Sequence, residues 1–289
     1  MRVALIGAGG QLATDLAPLF PDLVPLTRAD LDITQPDAVA TVLDGIRPDV
    51  VINTAAYNLV DKAESEPERA FAVNALGARN LARLCGAKDW TLVHFSTDYV
   101  FGGEVSLLRR GWLESSVPAP VNVYGASKLA GEHLVRMHCP RHFVIRTCGL
   151  YGQAATKAKG NFVKTMLRLA RERPEVRVVA DQICTPTFTR DVARITAALL
   201  PTAAYGLYHA TNSGECSWYA VADEAIRLAG LATPVVPIET AEYPTPARRP
   251  AFSALECSRI EEATGLTLRS WQEALAEYVA GLGDERGQN

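Results

Sequence analysis

The chain carries no excess of basic residues. Its 29 Lys and Arg face 32 Asp and Glu, for a net charge of -3 at pH 7. That balance excludes the electrostatic footprint of a nucleic-acid binder or a polybasic membrane surface. No apolar run is long enough to span a bilayer. The six cysteines, at 85, 139, 148, 184, 216 and 257, contain no C-x-x-C pair. They read as reduced, mostly core thiols, with no disulfide framework and no structural metal site. His133 and His138 lack metal-ligand spacing, and His94 reads as a core histidine inside a strand. Internal repeats and low-complexity tracts are missing, and no signal peptide precedes the first strand-like run. A cytoplasmic globular protein is expected. What remains is ordinary: 289 residues, 48% hydrophobic and 21% charged, allow one large domain or two modest ones.

Strands and helices alternate through the first half. Val3–Ile6 is a short apolar run that ends in glycine, and residues 11–20 are amphipathic. Strand, glycine turn and helix form the context of a dinucleotide-binding fingerprint. The glycines read as Gly7-x-x-Gly10-x-x-Ala13, which differs from G-x-G-x-x-G and is nearer the spacing of short-chain reductases, especially their extended branch. They let the turn close and the backbone approach a pyrophosphate. Leu23–Leu26 reads as the second strand. An NAD-preferring site has an acidic residue at that strand's end; here Arg28 stands instead, which suits a 2′-phosphate. Asp32 and Ile33 follow at adenine distance. NADPH is therefore the expected cofactor, with NADH as the alternative.

Residues 37–46 and 71–84 have helical patterns, and Val50–Asn53 and residues 90–96 read as strands. A helix over 123–137 and a strand over 143–146 complete a Rossmann-type doubly wound parallel sheet in residues 1–150. Ligands gather at the carboxyl ends of such strands. Residues 151–289 read mainly as a smaller α/β substrate domain, parts of which return to the first. They begin with a polar loop over 153–160 that holds Lys157 and Lys159. Helices follow over 161–170, 188–199, 217–228 and 270–279, with strands at Val176–Val179 and 207–210 and a frayed tail from Gly281. The stretch 239–252 is rich in proline and arginine and reads as a loop over a binding site.

Tyr124 and Lys128 are four apart, so a helix places both on one face. An ammonium beside a phenol favours the phenolate, which predicts a lowered tyrosine pKa. Such a tyrosine gives a proton to a developing alkoxide. Thr97, at the end of an apolar run, supplies a hydroxyl that holds the same oxygen.

Several blocks resemble one family, the dTDP-4-dehydrorhamnose reductases. They are Ser96-Thr-Asp-Tyr-Val-Phe101, Asn122-Val-Tyr-Gly-Ala-Ser-Lys-Leu-Ala-Gly-Glu132, Asn161-Phe-Val-Lys-Thr-Met-Leu-Arg-Leu-Ala170 and Tyr243-Pro-Thr-Pro-Ala-Arg-Arg-Pro250. Asn53-Thr-Ala-Ala-Tyr57, Val60-Asp-Lys-Ala-Glu-Ser65, Asp181-Gln182 and Pro186-Thr187 extend the similarity over nearly the whole chain. The resemblance implies reduction of the C4 keto group of dTDP-4-dehydro-L-rhamnose with NAD(P)H. It implies that Tyr124 is the proton donor. Lys128 would bind the nicotinamide ribose, and Thr97 would orient the keto oxygen. Gly7, Gly10, Gln11 and Leu12 match the pyrophosphate turn, and Ala55, Ala56 and Tyr57 the segment beside the cofactor. Val60, Asp61, Ser96, Asn161 and Phe162 fall where the family meets its dTDP-sugar. Arg248 and Arg249 read as a diphosphate clamp in a proline-stiffened loop.

The chain departs from that pattern twice. Many members carry a tryptophan where this sequence has Gly149, so the wall of the sugar pocket must be built differently. Some bind Mg2+ between subunits through glutamates; Asp15 stands at the first such position and no glutamate at the second, near 188–190, so no metal is expected. Members are often dimers. Thr97 is followed by Asp98-Tyr99, which lacks the Asp-Glu pair of the related dehydratases. The remaining alternatives are a reductase of a related dTDP-4-keto-6-deoxysugar, and a non-catalytic NADP-binding regulatory subunit like that of methionine adenosyltransferase.

Overall fold

The computed structural model describes residues 1–102, 111–154 and 160–284. Lys157 and Lys159 of the expected polar loop lie outside the described residues, as does the end of the expected frayed tail. The central sheet holds β1 (Val3–Ile6), β2 (Leu23–Leu26), β3 (Val50–Asn53), β4 (Thr91–Thr97), β5 (His142–Thr147) and β6 (Gly206–His209). The order is β6-β5-β4-β3-β1-β2, and every pairing is parallel. Every residue of β1, β3 and β4 is buried. Their centres are mostly apolar because helices cover both faces of the sheet, while Asn53, Ser96 and Thr97 stand at the carboxyl ends.

Alternate residues of each strand feed two separate cores. Val3, Leu5, Val93, Phe95, Phe143 and Ile145 face one way, with α1 (Gln11–Leu16) over them. Ala4, Ile6, Leu92 and Val144 face the other, against α2 (Pro36–Ile46) and α3 (Ala78–Lys88). The chain leaves β1 toward β2 and returns on its other side as β3, so the strand order reverses at β1. That reversal opens a crevice beyond the strand ends.

The expected helix over 71–84 is broken up. Pro67–Phe71 is α-helical, Ala72–Gly77 forms one π-helical turn, and α3 follows. The wider turn directs the Asn74 amide inward, where it bonds both backbone groups of Tyr57, at 2.8 and 3.0 Å. Gly77 is required there, because a Cβ would stand 2.7 Å from the Ile33 side chain.

In the second half, α5 (Phe162–Glu172), α6 (Thr189–Leu199), α7 (Trp218–Leu228) and α8 (Trp271–Asp284) follow α4 (Val123–His138). A third core joins Tyr151, Val163, Leu167, Phe188, Val221, Leu275 and Tyr278. Val192, Ile195 and Leu199 of α6, with β6, belong to the first sheet and its core. Val176–Val179 pairs in parallel with Val235–Ile238. The sequence pattern concealed that second strand, since Pro237 interrupts it and marks an edge. The last helix runs on to Asp284 instead of stopping at 279. Among the described residues, no helix is long and apolar enough to cross a membrane.

Candidate active site

A cavity of about 750 Å³ runs along the carboxyl ends of the strands. Gly7, Gly10, Gln11, Leu12, Arg28, Asp32, Ile33, Ala55, Ala56 and Tyr57 line it, together with Ser96, Thr97, Tyr124, Lys128 and Asn161. Gly7 has a φ of +83°, and a Cβ there would stand 2.7 Å from Thr54 Oγ1, so only glycine fits. Gly9, also on the cavity wall, has open space where a side chain would be. The turn thus presents bare backbone, and Ala55 and Ala56 keep the end of β3 equally narrow. Arg28 is exposed, with its guanidinium 3.7 Å from the Asp32 carboxylate. Asp32 is already occupied by the Thr34 backbone N–H and hydroxyl, at 3.0 and 2.7 Å. An open glycine turn, a crevice along the strand ends and an exposed guanidinium beyond β2 fit a dinucleotide bearing a 2′-phosphate. The residues that would hold it are those of the turn, Arg28, the 55–57 segment and Lys128.

The other end of the cavity is governed by α4. Asn122 caps this helix: its Oδ1 accepts from Gly125 N at 2.8 Å, while its Nδ2 donates to the Arg248 carbonyl at 2.8 Å. The Val123 N–H, free at the helix start, donates to Glu64 Oε1 at 2.9 Å. Tyr124, Lys128 and Glu132 then follow at intervals of four along one face. Glu132 ties that face to the sheet. It takes Arg146 of β5 in a two-point ion pair at 2.9 and 2.7 Å, and Ser96 of β4 donates to it at 2.5 Å. Ser96 therefore lines the cavity with its hydroxyl committed elsewhere. Lys128 Nζ donates to the Phe95 carbonyl at 2.6 Å. Thr97 accepts from Tyr99 N at 3.2 Å and is hydrogen-bonded to Tyr124.

This geometry corrects one expectation. Burial pushes the Tyr124 phenol up to about 12; the Thr97 hydrogen bond opposes that, and Asp98 adds to it. Lys128 does not lower it, because its ammonium is aimed at Phe95 and is itself destabilised by burial. The Lys128 pKa falls to about 8 by loss of hydration, with Glu132 opposing. Below about pH 8 folded and unfolded chains both keep this proton, and burial of the charge is a standing cost. Between about 8 and 10.5 only the unfolded chain keeps it, so stability rises with pH in that window. Lys128→Met is therefore expected to be more stable than the native chain at pH 7. The gain is roughly 1–2 kcal/mol, reduced by the Phe95 carbonyl it leaves bare. That advantage should shrink from pH 8 to about pH 10, as thermal melting across pH will show.

Four candidates do not reach the cavity wall: Val60, Asp61, Phe162 and Arg248. Asp61 is drawn away by Arg249, which it pairs with at 2.9 Å, and by Ala247 N at 3.2 Å. Val60 starts the short helix that carries Asp61. The Phe162 ring packs at a tilt against Trp218, with ring centres 4.6 Å apart. Arg248 offers its carbonyl to Asn122 and leaves its side chain in solvent. Asn161 does line the cavity, but it also caps α5, accepting from Lys164 N at 2.9 Å and donating to the Tyr278 hydroxyl at 2.9 Å. Asp15 accepts from Thr189 at 2.5 Å.

The family model for the RmlD substrate binding domain matches residues 1–283. The dTDP-4-dehydrorhamnose reductase of Aggregatibacter actinomycetemcomitans is 40% identical, over 96% of this chain and 98% of its own length. The chain belongs to this reductase family. The spore coat polysaccharide biosynthesis protein SpsK of Bacillus subtilis is 38% identical over 96% of each chain. A Bacillus anthracis dTDP-4-dehydrorhamnose reductase, solved in complex with NADP, superposes with a TM-score of 0.91 at 40% identity, covering 97% of this chain and 99% of that one. The Streptomyces venezuelae dTDP-glucose 4,6-dehydratase, at 20% identity and a TM-score of 0.79, shares the fold.

As a member of the reductase family the chain builds the wall at Gly149 in its own way. Gly149 has a φ of +51°, and a Cβ on it would lie 3.0 Å from the Trp218 ring. The indole of α7 fills the side-chain space of position 149, with Phe162 behind it. Sequence reasoning missed Asn122, Asn74, Asp98 and Glu132. Only Glu132 carried a legible signal, the third step of the spacing that begins at Tyr124.

Proposed function

We propose that this chain reduces the C4 keto group of dTDP-4-dehydro-L-rhamnose to dTDP-L-rhamnose with NADPH. The observation that carries this reading is the convergence of Thr97, Tyr124 and Lys128 on the cavity that the glycine turn and Arg28 also line. Reductase relatives that match nearly the whole chain support it. When bound, the reduced nicotinamide supplies the hydride. Thr97 and Tyr124 hold the keto oxygen, and Tyr124 gives it a proton as the alkoxide forms. Lys128 would hold the nicotinamide ribose. Residues 1–150 serve the cofactor, and residues 151–289 serve mainly the dTDP-sugar.

The test is to supply dTDP-4-dehydro-L-rhamnose and follow NADPH absorbance, with the product identified by NMR. Consumption of NADPH with formation of dTDP-L-rhamnose supports the proposal. Binding of NADPH without turnover would count against this sugar. Gly149, which lines the cavity where many members carry a tryptophan, would then favour a related dTDP-4-keto-6-deoxysugar as substrate. Arg28→Ala should raise the KM for NADPH about tenfold and leave that for NADH unchanged, since only the 2′-phosphate meets the guanidinium.

A further inference from the structure

Asp98 follows Thr97 directly, lines the cavity and is 3% exposed, yet no step above uses it. Its two carboxyl oxygens have different neighbours. Oδ1 lies 3.1 Å from the Thr97 hydroxyl, and Oδ2 takes the Cys148 thiol at 3.0 Å. Ser253 adds a further hydrogen bond. The titratable groups facing it are Tyr99 beside it in the chain, Cys148 just past β5 and Tyr124 from α4, with Cys184 next to Cys148. Burial raises the pKa of Tyr99, Tyr124 and Cys148 and keeps these three uncharged. Arg249 acts on Tyr99 but is paired to Asp61, and no cation stands among the main influences on Asp98. Burial outweighs these hydrogen bonds and one from the backbone, and raises its pKa.

The Thr97 hydroxyl has one proton to give. Its oxygen already accepts from Tyr99 N. An ionised Asp98 has no proton, so the Thr97 proton would have to go to it. Thr97 would then have nothing to offer Tyr124 or a substrate oxygen. A protonated Asp98 reverses the direction: Oδ1–H donates to Thr97, and the Thr97 proton is released toward the reacting oxygen. We propose that Asp98 works as a neutral carboxylic acid that sets the direction of the chain Asp98–Thr97–Tyr124, a positioning residue for the reduction. The proposal rests on the reductase reading of the site.

Asn is the discriminating substitution. In Asp98→Asn the amide Nδ2 donates to Thr97 as the acid would, and the amide oxygen accepts from Cys148 as Oδ2 does. It cannot imitate a carboxylate. Asp98→Asn is expected to keep kcat within about threefold of native, while Asp98→Ala lowers it about 10- to 100-fold. The ratio of native to Asp98→Asn kcat should be flat at neutral pH. It should fall at alkaline pH, where only the native chain can ionise here; Lys128 titrates in both and cancels. Infrared difference spectra should show a protonated carboxyl band at neutral pH that is missing from Asp98→Asn. A hundredfold loss in Asp98→Asn, with an unchanged melting temperature, would overturn the proposal, as would absence of the band. The infrared measurement needs no turnover, so it stays decisive if dTDP-4-dehydro-L-rhamnose proves not to be the substrate.

Discussion

Tyr124→Phe is expected to lower kcat for keto-sugar reduction by about 10²- to 10⁴-fold, the usual worth of a positioned proton donor. Cofactor affinity should stay within about twofold, because the phenyl ring keeps its packing and Lys128, proposed to hold the nicotinamide ribose, is untouched. The raised pKa of this phenol suits the role. At about 12 it remains protonated throughout the working range, so reduction needs no prior loading of the donor. A developing alkoxide is a much stronger base than a phenolate, so the proton still moves downhill at the moment of need. Thr97→Val should cost about 10² in kcat, and the double substitution little more than Tyr124→Phe alone, because both groups act on one oxygen. Steady-state kinetics with a fluorescence titration of NADPH separates the two quantities. Equal losses in kcat and in NADPH binding would remove Tyr124 from the proton-donor role.

Breaking the Glu132–Arg146 pair should produce the largest loss of stability. The two side chains are 1% and 2% exposed and meet at two points. Arg146 also lies 5.0 Å from the centre of the Phe101 ring and 3.4 Å from His209 Nε2. His209 is held neutral: burial, helped by Arg146, pushes its pKa down to about 3. Its Nδ1 donates to the Glu256 carbonyl, and Nε2 is left to accept from the guanidinium. Glu132→Ala strands the guanidinium of Arg146 without a counter-charge, at a cost of about 3–5 kcal/mol. Arg146→Ala strands the carboxylate similarly. Glu132→Leu combined with Arg146→Met replaces both charges by apolar volume and should recover most of that loss. Urea denaturation of the three variants measures this directly. The double variant should still have reduced activity, since Ser96 and Arg146 no longer hold the α4 face that carries Tyr124 and Lys128.

The sheet was legible because its signals are local. Parallel strands covered on both faces are rich in apolar residues, and Val3–Ile6, Val50–Ile52 and Leu92–Phe95, broken only by His94, announce themselves that way. The glycine turn, Tyr124 and Lys128 were legible because fixed spacing along a turn or helix converts directly into a shared face. The π turn at Ala72–Gly77 and the strand Val235–Ile238 were not, since one depends on the inward pull of Asn74 and the other on a partner strand far away in sequence.

By itself the sequence determined the alternating architecture, the cofactor turn, the pair Tyr124 and Lys128, and the block-by-block likeness to the reductase family. Each follows from short-range periodicity or from residue types in order. Only the tertiary structure decided what surrounds those residues. It sent the Lys128 ammonium to Phe95 and raised the Tyr124 pKa by burial. It locked Glu132 onto Arg146 and diverted Asp61 to Arg249. It filled the space beside Gly149 with Trp218, 69 positions further along the chain. Hydration and long-range packing set all five, and neither can be read from neighbours in the sequence.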